Sequence, residues 1–287
     1  MLYALVDYSN KKTLNKISAE EVLGEVKVVI PKFKEKHNKK IVKKTLKKIE
    51  EHKVQNIILN KELTENLEFC KMLEEAKKYI ITGRRIVKVL LMKVIGEISK
   101  YTKYPKEKMN ILLLMNEYSL ENIDLIETIS KEVKQLNVMS RNYTKYERTS
   151  NRLFEEYGYV VNLYSNECIN EFKRVNLVIN LDFKETEFQK INIAKNSVVL
   201  SLNEKIQTIK KGFSGIIIND IDISGTKEST LKYRGLALCE ARVYKPLRKL
   251  KDNERIFNGE KYIINGYIGK RGKITEEEFE KMGKSFA

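Results

Sequence analysis

The chain has 287 residues, 42% of them hydrophobic, and carries 55 basic against 39 acidic side chains, a formal net charge of +16. That length holds two domains or one large one with a packed core, and no apolar run approaches the roughly 20 residues needed to span a bilayer. The three widely spaced cysteines, Cys70, Cys168 and Cys239, and the two histidines, His37 and His52, exclude a disulfide framework and a Cys/His zinc site of motif spacing. They fit free thiols in a reducing cytoplasm.

The opening residues Met1 to Asp7 lack a basic n-region and read as a first strand, Tyr3 to Val6, rather than as a signal peptide. A second strand, Val26 to Ile30, ends at Pro31. Between them Ser18 and Glu21 have the spacing of a capping box, which predicts a short helix. Residues 39–52 form an amphipathic helix with Val42, Leu46 and Ile49 on one stripe, flanked by Lys39, Lys40, Lys43, Lys44, Lys47 and Lys48. Residues 27–53 hold eleven lysines against Glu35, Glu50 and Glu51, half of the net charge. This helix reads as a solvated face packed on a sheet, with an anion-binding surface as the sharper alternative. Next come a strand at Ile57 to Leu59, a helix over 62–78, a short strand at Ile80-Ile81 ending at Gly83, and an apolar helix over 85–101. Tyr104 to Lys108, with Pro105, is the best linker in the chain.

From Met109 the pattern is regular. Strand 110–115 precedes helix 119–134, strand 137–140 precedes helix 143–157, and Gly158 stands where a C-cap glycine belongs. Strand 159–163, helix 166–173 and strand 176–181 follow, then strands at 197–202 and 215–219. This alternation implies a parallel sheet covered on both faces. Beyond it, residues 228–243 read as a helix and 261–268 as a strand or hairpin. Thr275 and Glu278 form a capping box that opens a final helix, Glu276 to Met282.

In such sheets ligands bind beyond the carboxyl ends of the strands. The residues there are Asn116, Glu117 and Ser119 after the first strand of the regular unit, and Ser140, Arg141 and Asn142 after the second. Ser165 and Asn166 follow the third, Asp182 and Lys184 the fourth, and Asn203, Asn219 and Asp220 the later ones. The turn Val138-Met139-Ser140-Arg141-Asn142-Tyr143-Thr144, leading through a helix to Gly158, resembles the strand-then-Asn-Arg-Thr turn of the NADP-binding domains of the shikimate dehydrogenase and glutamyl-tRNA reductase families. The resemblance covers about 75 residues, from 109 to 182, with Arg141 and Asn142 in inverted order. It implies a Rossmann-like domain preceded by a smaller α/β domain. It also implies NADP as cofactor, with Asn116, Ser119, Ser140, Arg141, Asn142 and Asp182 around it and the ribose 2′-phosphate on Ser140, Arg141 and Asn142.

One departure weighs against that cofactor. No glycine lies between Gly96 and Gly158. The first turn, where backbone must approach the pyrophosphate, reads Asn116-Glu117-Tyr118-Ser119, and Glu117 adds a negative charge. Other patterns are weaker. Asp220 and Asp222 with Asn219 read as a turn rather than a Mg²⁺ site. Gly225-Thr226-Lys227 lacks the upstream glycine of a phosphate loop, and no catalytic triad can be drawn with these histidines.

The resulting reading is an α/β protein: a small N-terminal α/β domain (1–103), a Rossmann-like parallel sheet with helices on both faces (104–225), and a C-terminal tail (226–287) packing on one or both. The expected function is a non-catalytic or cryptic binding or regulatory module with a protein partner or a second copy of itself. The alternatives are an NADP-linked reductase with an atypical phosphate turn, and a nucleic-acid or anionic-surface binder acting through the lysine-rich helix. Lysines outnumber arginines 44 to 11, which argues for compositional charge over arginine-based nucleic-acid readout. No metal and no membrane contact are expected.

Overall fold

A computed structural model describes residues 2–9, 17–22, 25–34, 37–167, 171–201, 206, 209, 212–224, 235–244, 250–259 and 262–286. Cys168, Asn203 and the Gly225-Thr226-Lys227 triplet lie outside them. The chain divides into two units, one of Met1–Ile86, Ile223–Tyr244 and Ile256–Ile263, the other of Val87–Asp222, Lys245–Arg255 and Ile264–Ala287. No helix among the described residues is long and apolar enough to cross a membrane.

In the first unit the elements run β1 (Tyr3–Tyr8), β2 (Ser18–Val22), β3 (Glu25–Ile30), α1 (Asn38–Glu51), β4 (Asn56–Leu59), α2 (Lys61–Thr64), α3 (Leu67–Glu75) and β5 (Tyr79–Ile80). They build a five-stranded sheet of order β2-β3-β1-β4-β5, parallel except for β2 at the edge. Alternate side chains of the strands enter two layers. Ala4, Val6, Val28, Ile57 and Leu59 pack with Val42 and Ile49 of α1 and with Phe69 and Leu73 of α3. Tyr3 and Ile58 face Ala237, Leu238 and Ala241 of α8 (Gly235–Val243). The lysines of α1 are thus the outer side of a helix whose apolar stripe is buried.

Two expectations change here. Ser18–Val22 is a strand, not a helix, because it pairs with β3 in antiparallel register and sets Glu20 opposite Lys27. The helix expected over 62–78 is two helices, each with its own cap: Asn60 Oδ1 accepts from the Leu63 amide at 2.8 Å and Asn66 Oδ1 from the Phe69 amide at 3.0 Å.

Most of the remaining elements lie in the second unit, with α4, β14, α9 and β15 having residues in both: α4 (Arg84–Thr102), β6 (Asn110–Leu114), α5 (Leu120–Ser130), β7 (Gln135–Ser140), α6 (Glu147–Tyr157), β8 (Val161–Ser165), β9 (Glu171–Phe172), β10 (Leu177–Asn180), α7 (Glu185–Phe188), β11 (Asn192–Ile193), β12 (Val198–Ser201), β13 (Ile216–Ile218), β14 (Asp220–Ser224), α9 (Leu250–Gly259), β15 (Ile263–Gly269), β16 (Gly272–Lys273) and α10 (Glu276–Gly283). Its main sheet is six-stranded and wholly parallel, in the order β13-β12-β10-β6-β7-β8. Numbered within the sheet, that is 6-5-4-1-2-3, the strand order of a Rossmann fold. Ile111 to Leu114 are fully buried, as a central strand covered on both faces requires.

A 3-10 turn, Tyr143–Tyr146, precedes α6, which ends in a left-handed Gly158 (φ 72°) with the Tyr159 amide on the Leu153 carbonyl at 3.1 Å. Of the helix expected over 166–173, the described part ends instead in β9, paired with β11. The expected capping box is present: the Glu278 amide donates to Thr275 Oγ1 at 3.2 Å and the Thr275 amide to Glu278 Oε2 at 2.8 Å, opening α10. Gly283 at the end of α10 lies so close to α4 that a Cβ there would sit 1.7 Å from the Thr102 carbonyl oxygen.

The two glycines separate two kinds of cost. Gly158→Ala meets no neighbour and should lose about 1–2 kcal/mol from left-handed backbone alone. Gly283→Ala must push α10 off α4 and should reach or exceed the upper end of the ~1–3 kcal/mol typical of overpacking. Urea unfolding of both variants measures the difference; equal losses would contradict the packing argument.

Candidate functional site

The switch point of the six-stranded sheet lies between β6 and β10, whose chain connections leave in opposite directions. Beyond β6 the backbone does not turn directly into a helix. Residues 115–119 form an open segment, and α5 begins only at Leu120, capped by Ser119, whose Oγ accepts from the Asn122 amide at 3.3 Å.

The amides of this segment point to a carboxylate. Asp182, just past β10, accepts from the Asn116 amide at 2.6 Å through Oδ1 and from the Glu117 amide at 2.8 Å through Oδ2. Burial raises the Asp182 pKa above the ordinary carboxylate value, and nearby Glu117 adds to the rise; the two amides and Lys88 oppose it. The Glu117 carbonyl is itself held by the Tyr146 hydroxyl at 2.8 Å and the Asn122 amide side chain at 2.6 Å.

Asn116 is the hub. Its Oδ1 accepts from the Arg141 amide at 3.1 Å and from Asn166 Nδ2 at 3.4 Å, and its carbonyl accepts from Asn142 Nδ2 at 2.7 Å. Its Nδ2 donates to Glu187 Oε1 at 3.4 Å. Ser140, fully buried, accepts the Asn142 amide on its Oγ at 2.9 Å. The Arg141 guanidinium is paired with Glu187 in α7. Burial pushes Glu187 up, but the Lys184 amide, the Arg141 guanidinium and the Asn116 side chain outweigh it and hold its pKa below the ordinary value. Lys88 of α4, almost wholly buried, lies 3.7 Å from Glu117 and 3.6 Å from Glu121.

Asn116, Ser140, Arg141, Asn142 and Asp182, named from the sequence by their place after strands, therefore join one network, while Ser119 serves the adjacent helix cap. Sequence reasoning did not single out Glu187, Tyr146 or Lys88. Glu187 lies five residues beyond Asp182, in the short helix after β10, and could have been read as a second-turn partner. Nothing in the sequence points to Lys88, which arrives from α4.

The residues do not fit a dinucleotide pyrophosphate. The two amides that would approach it are taken by Asp182, Asn116 and Glu117 carry side chains where the turn needs none, and the Arg141 cation, which the sequence resemblance assigns to a 2′-phosphate, is matched by Glu187. Asp220 accepts its neighbour's amide, Ile221, at 3.0 Å, and among the described residues no three His, Cys, Asp or Glu side chains gather to hold a metal ion.

No family model matches the chain, and no curated protein does. Among solved structures it is similar to L-tryptophan dehydrogenase from Nostoc punctiforme (12% identity, 92% of this chain and 76% of that one, TM-score 0.34) and to the dipicolinate synthase A chain from Bacillus subtilis (11%, 90% and 93%, TM-score 0.38). It is also similar to a chorismate mutase/shikimate 5-dehydrogenase fusion protein from Clostridium acetobutylicum (10%, 99% and 98%, TM-score 0.28). The fold assignment rests on the strand order of the sheet itself.

Asp182→Ala should leave two backbone amides without an acceptor and cost about 1–3 kcal/mol, with faster hydrogen exchange at Asn116 and Glu117; unchanged exchange would contradict the cap. Glu187 has its pKa lowered on folding, so it stabilises above its unfolded value near 4.5 and loses that contribution as pH falls through the folded value. The stability difference between wild type and Glu187→Gln should accordingly be largest near neutrality and vanish in acid, as denaturant titrations at several pH values would record.

Proposed function

We propose that this chain is a Rossmann-fold binding or regulatory module that has replaced the phosphate of a bound dinucleotide with a carboxylate of its own. The observation that carries this reading is the Asp182 carboxylate on the Asn116 and Glu117 amides. A phosphate entering there would have to displace an anion already tethered to the sheet. It would also meet Glu117 and Glu187, and unit charges about 4 Å apart repel by on the order of 1 kcal/mol in bulk water and ~4 kcal/mol near a protein surface. In a protein of net charge +16 the crevice brings three carboxylates, Glu117, Asp182 and Glu187, together with Arg141 and Lys88.

A ligand suited to this crevice is one without phosphate, because its turn amides already hold Asp182. The role is one of recognition, with a protein segment or a second copy of the chain as partner.

Thermal unfolding with NADP(H), NAD(H), ATP and inorganic phosphate, each at millimolar concentration, tests the reading. A ligand at a hundred times its dissociation constant stabilises by about 2.7 kcal/mol, a readily seen rise in melting temperature. No rise is expected. A rise with NADP(H) that disappears in Arg141→Ala would replace this reading with the reductase one.

A further inference from the structure

The second unit holds a cleft at the amino ends of its outer strands, away from the Asp182 network. Its volume is about 780 Å³, within the ~300–1,000 Å³ usual for small-molecule sites. The floor is apolar: Phe213, Ile216, Ile217 and Ile274 line it, each only half-buried. The rim is cationic. The hairpin β15–β16 pairs Gly269 with Gly272 and leaves Lys270 and Arg271 as a two-residue turn over the cleft, with Gly272 at φ 113°. Lys273 follows on β16, and Lys281 enters from α10.

Arg271, Lys273 and Lys281 have no carboxylate partner among the described residues. The one carboxylate in the described lining, Glu278, is occupied by the amide and hydroxyl of Thr275, at 2.8 and 3.2 Å. The cleft is also preformed. The Asn219 amide donates to the Ile268 carbonyl at 2.8 Å, and Gly269 lies so near β13 that a Cβ there would be 2.9 Å from the Ile217 oxygen. The hairpin is thus pinned to the sheet edge and holds its cations in place.

We propose that this cleft binds an organic anion with an apolar body, a carboxylate or phosphate on an acyl or aromatic group. The body covers Phe213, Ile216, Ile217 and Ile274, and the head sits among Arg271, Lys273 and Lys281. A bare anion leaves the apolar floor in water, and a neutral apolar molecule leaves the cations unmatched. Only a ligand with both parts uses the whole surface.

Fluorescence titration with anilinonaphthalenesulfonate, itself an apolar organic anion, tests this. One saturable site per chain is expected, emptied by dodecanoate or dodecyl phosphate but not by inorganic phosphate or dodecanol. The displacing headgroup tells carboxylate from phosphate. The Arg271→Ala/Lys273→Ala/Lys281→Ala variant should bind roughly tenfold more weakly or worse, about 1.4 kcal/mol, with an unchanged melting temperature because these side chains are exposed. Phe213→Ala should also weaken binding. Lys40→Ala/Lys44→Ala, on the lysine-rich helix, should not. Undiminished binding in the triple variant, displacement by inorganic phosphate alone, loss of binding in the Lys40/Lys44 variant, or no saturable site would each overturn the proposal. So would single-stranded RNA displacing the probe where dodecanoate does not.

Discussion

The crevice of the parallel sheet is organised by one carboxylate meeting two backbone amides. A chain leaving a buried strand exposes N–H groups that must find acceptors, and in dinucleotide-binding sheets the acceptor is a phosphate drawn to a glycine turn and a helix N-terminus. Here Asp182 fills that role from the neighbouring strand, across the switch point between β6 and β10. The rest follows from satisfying it. With the turn amides held by Asp182, Asn116 and Glu117 carry side chains there, and the Asn116 side chain becomes the peg that joins β7 and the residue after β8 to the same turn. Arg141 pairs with Glu187 and ties in α7.

The first unit uses the same device. Glu240 of α8, almost fully buried, accepts the Arg85 amide at 2.9 Å at the start of the 19-residue α4. Burial raises its pKa, with Arg85 and the neighbouring amides opposing the rise. A helix N-terminus favours negative charge by a fraction of a kcal/mol to ~2 kcal/mol in partly buried geometry, and its first amides lack intrahelical partners. A distant carboxylate answers both needs. Gly83 allows it, since a Cβ there would sit 2.4 Å from that of Leu236 and push α8 away. Twice, then, backbone amides at the start of a helix or after a strand are met by an acid from a later segment.

What the sequence made legible follows from the range of the forces involved. Most of the βα rhythm from Met109, the glycine at Gly158 and the Thr275–Glu278 box are local patterns set by neighbours a few residues apart, and they stand in the structure where the periodicity put them; the helix expected over 166–173 does not, since its described part ends in β9, whose pairing with β11 is not visible locally. Ser18–Val22 was misleading because a capping spacing is worth less than a paired edge, and pairing with β3 is not visible locally. The helix expected over 62–78 hid two asparagine caps in a pattern that was apolar enough to look continuous. At the site, positions after strands were readable from topology alone, so Asn116, Ser140, Arg141, Asn142 and Asp182 could be named. Their partnership could not. That Asp182 reaches the Asn116 amide, 66 residues away, depends on β10 lying beside β6, and Lys88 approaches from α4 with no motif to announce it.

The glycine-free turn therefore has two sides, and only one was visible in the sequence. Losing glycine raises the cost of bringing a pyrophosphate close; by itself that only weakens a ligand. Supplying Asp182 goes further, because an intramolecular acceptor is present at a fixed geometry and loses no translational freedom when it binds, whereas a ligand loses several kcal/mol of it. Removing Asp182 alone would not restore a dinucleotide site, since Asn116 still fills the turn and Glu187 still neutralises Arg141. The network is cooperative: Asp182, Asn116, Asn142 and Tyr146 each meet a backbone group of the same turn or the one after β7. A scaffold closed in this way keeps the rigidity of a parallel sheet while the acceptor for its switch-point amides comes from the chain itself.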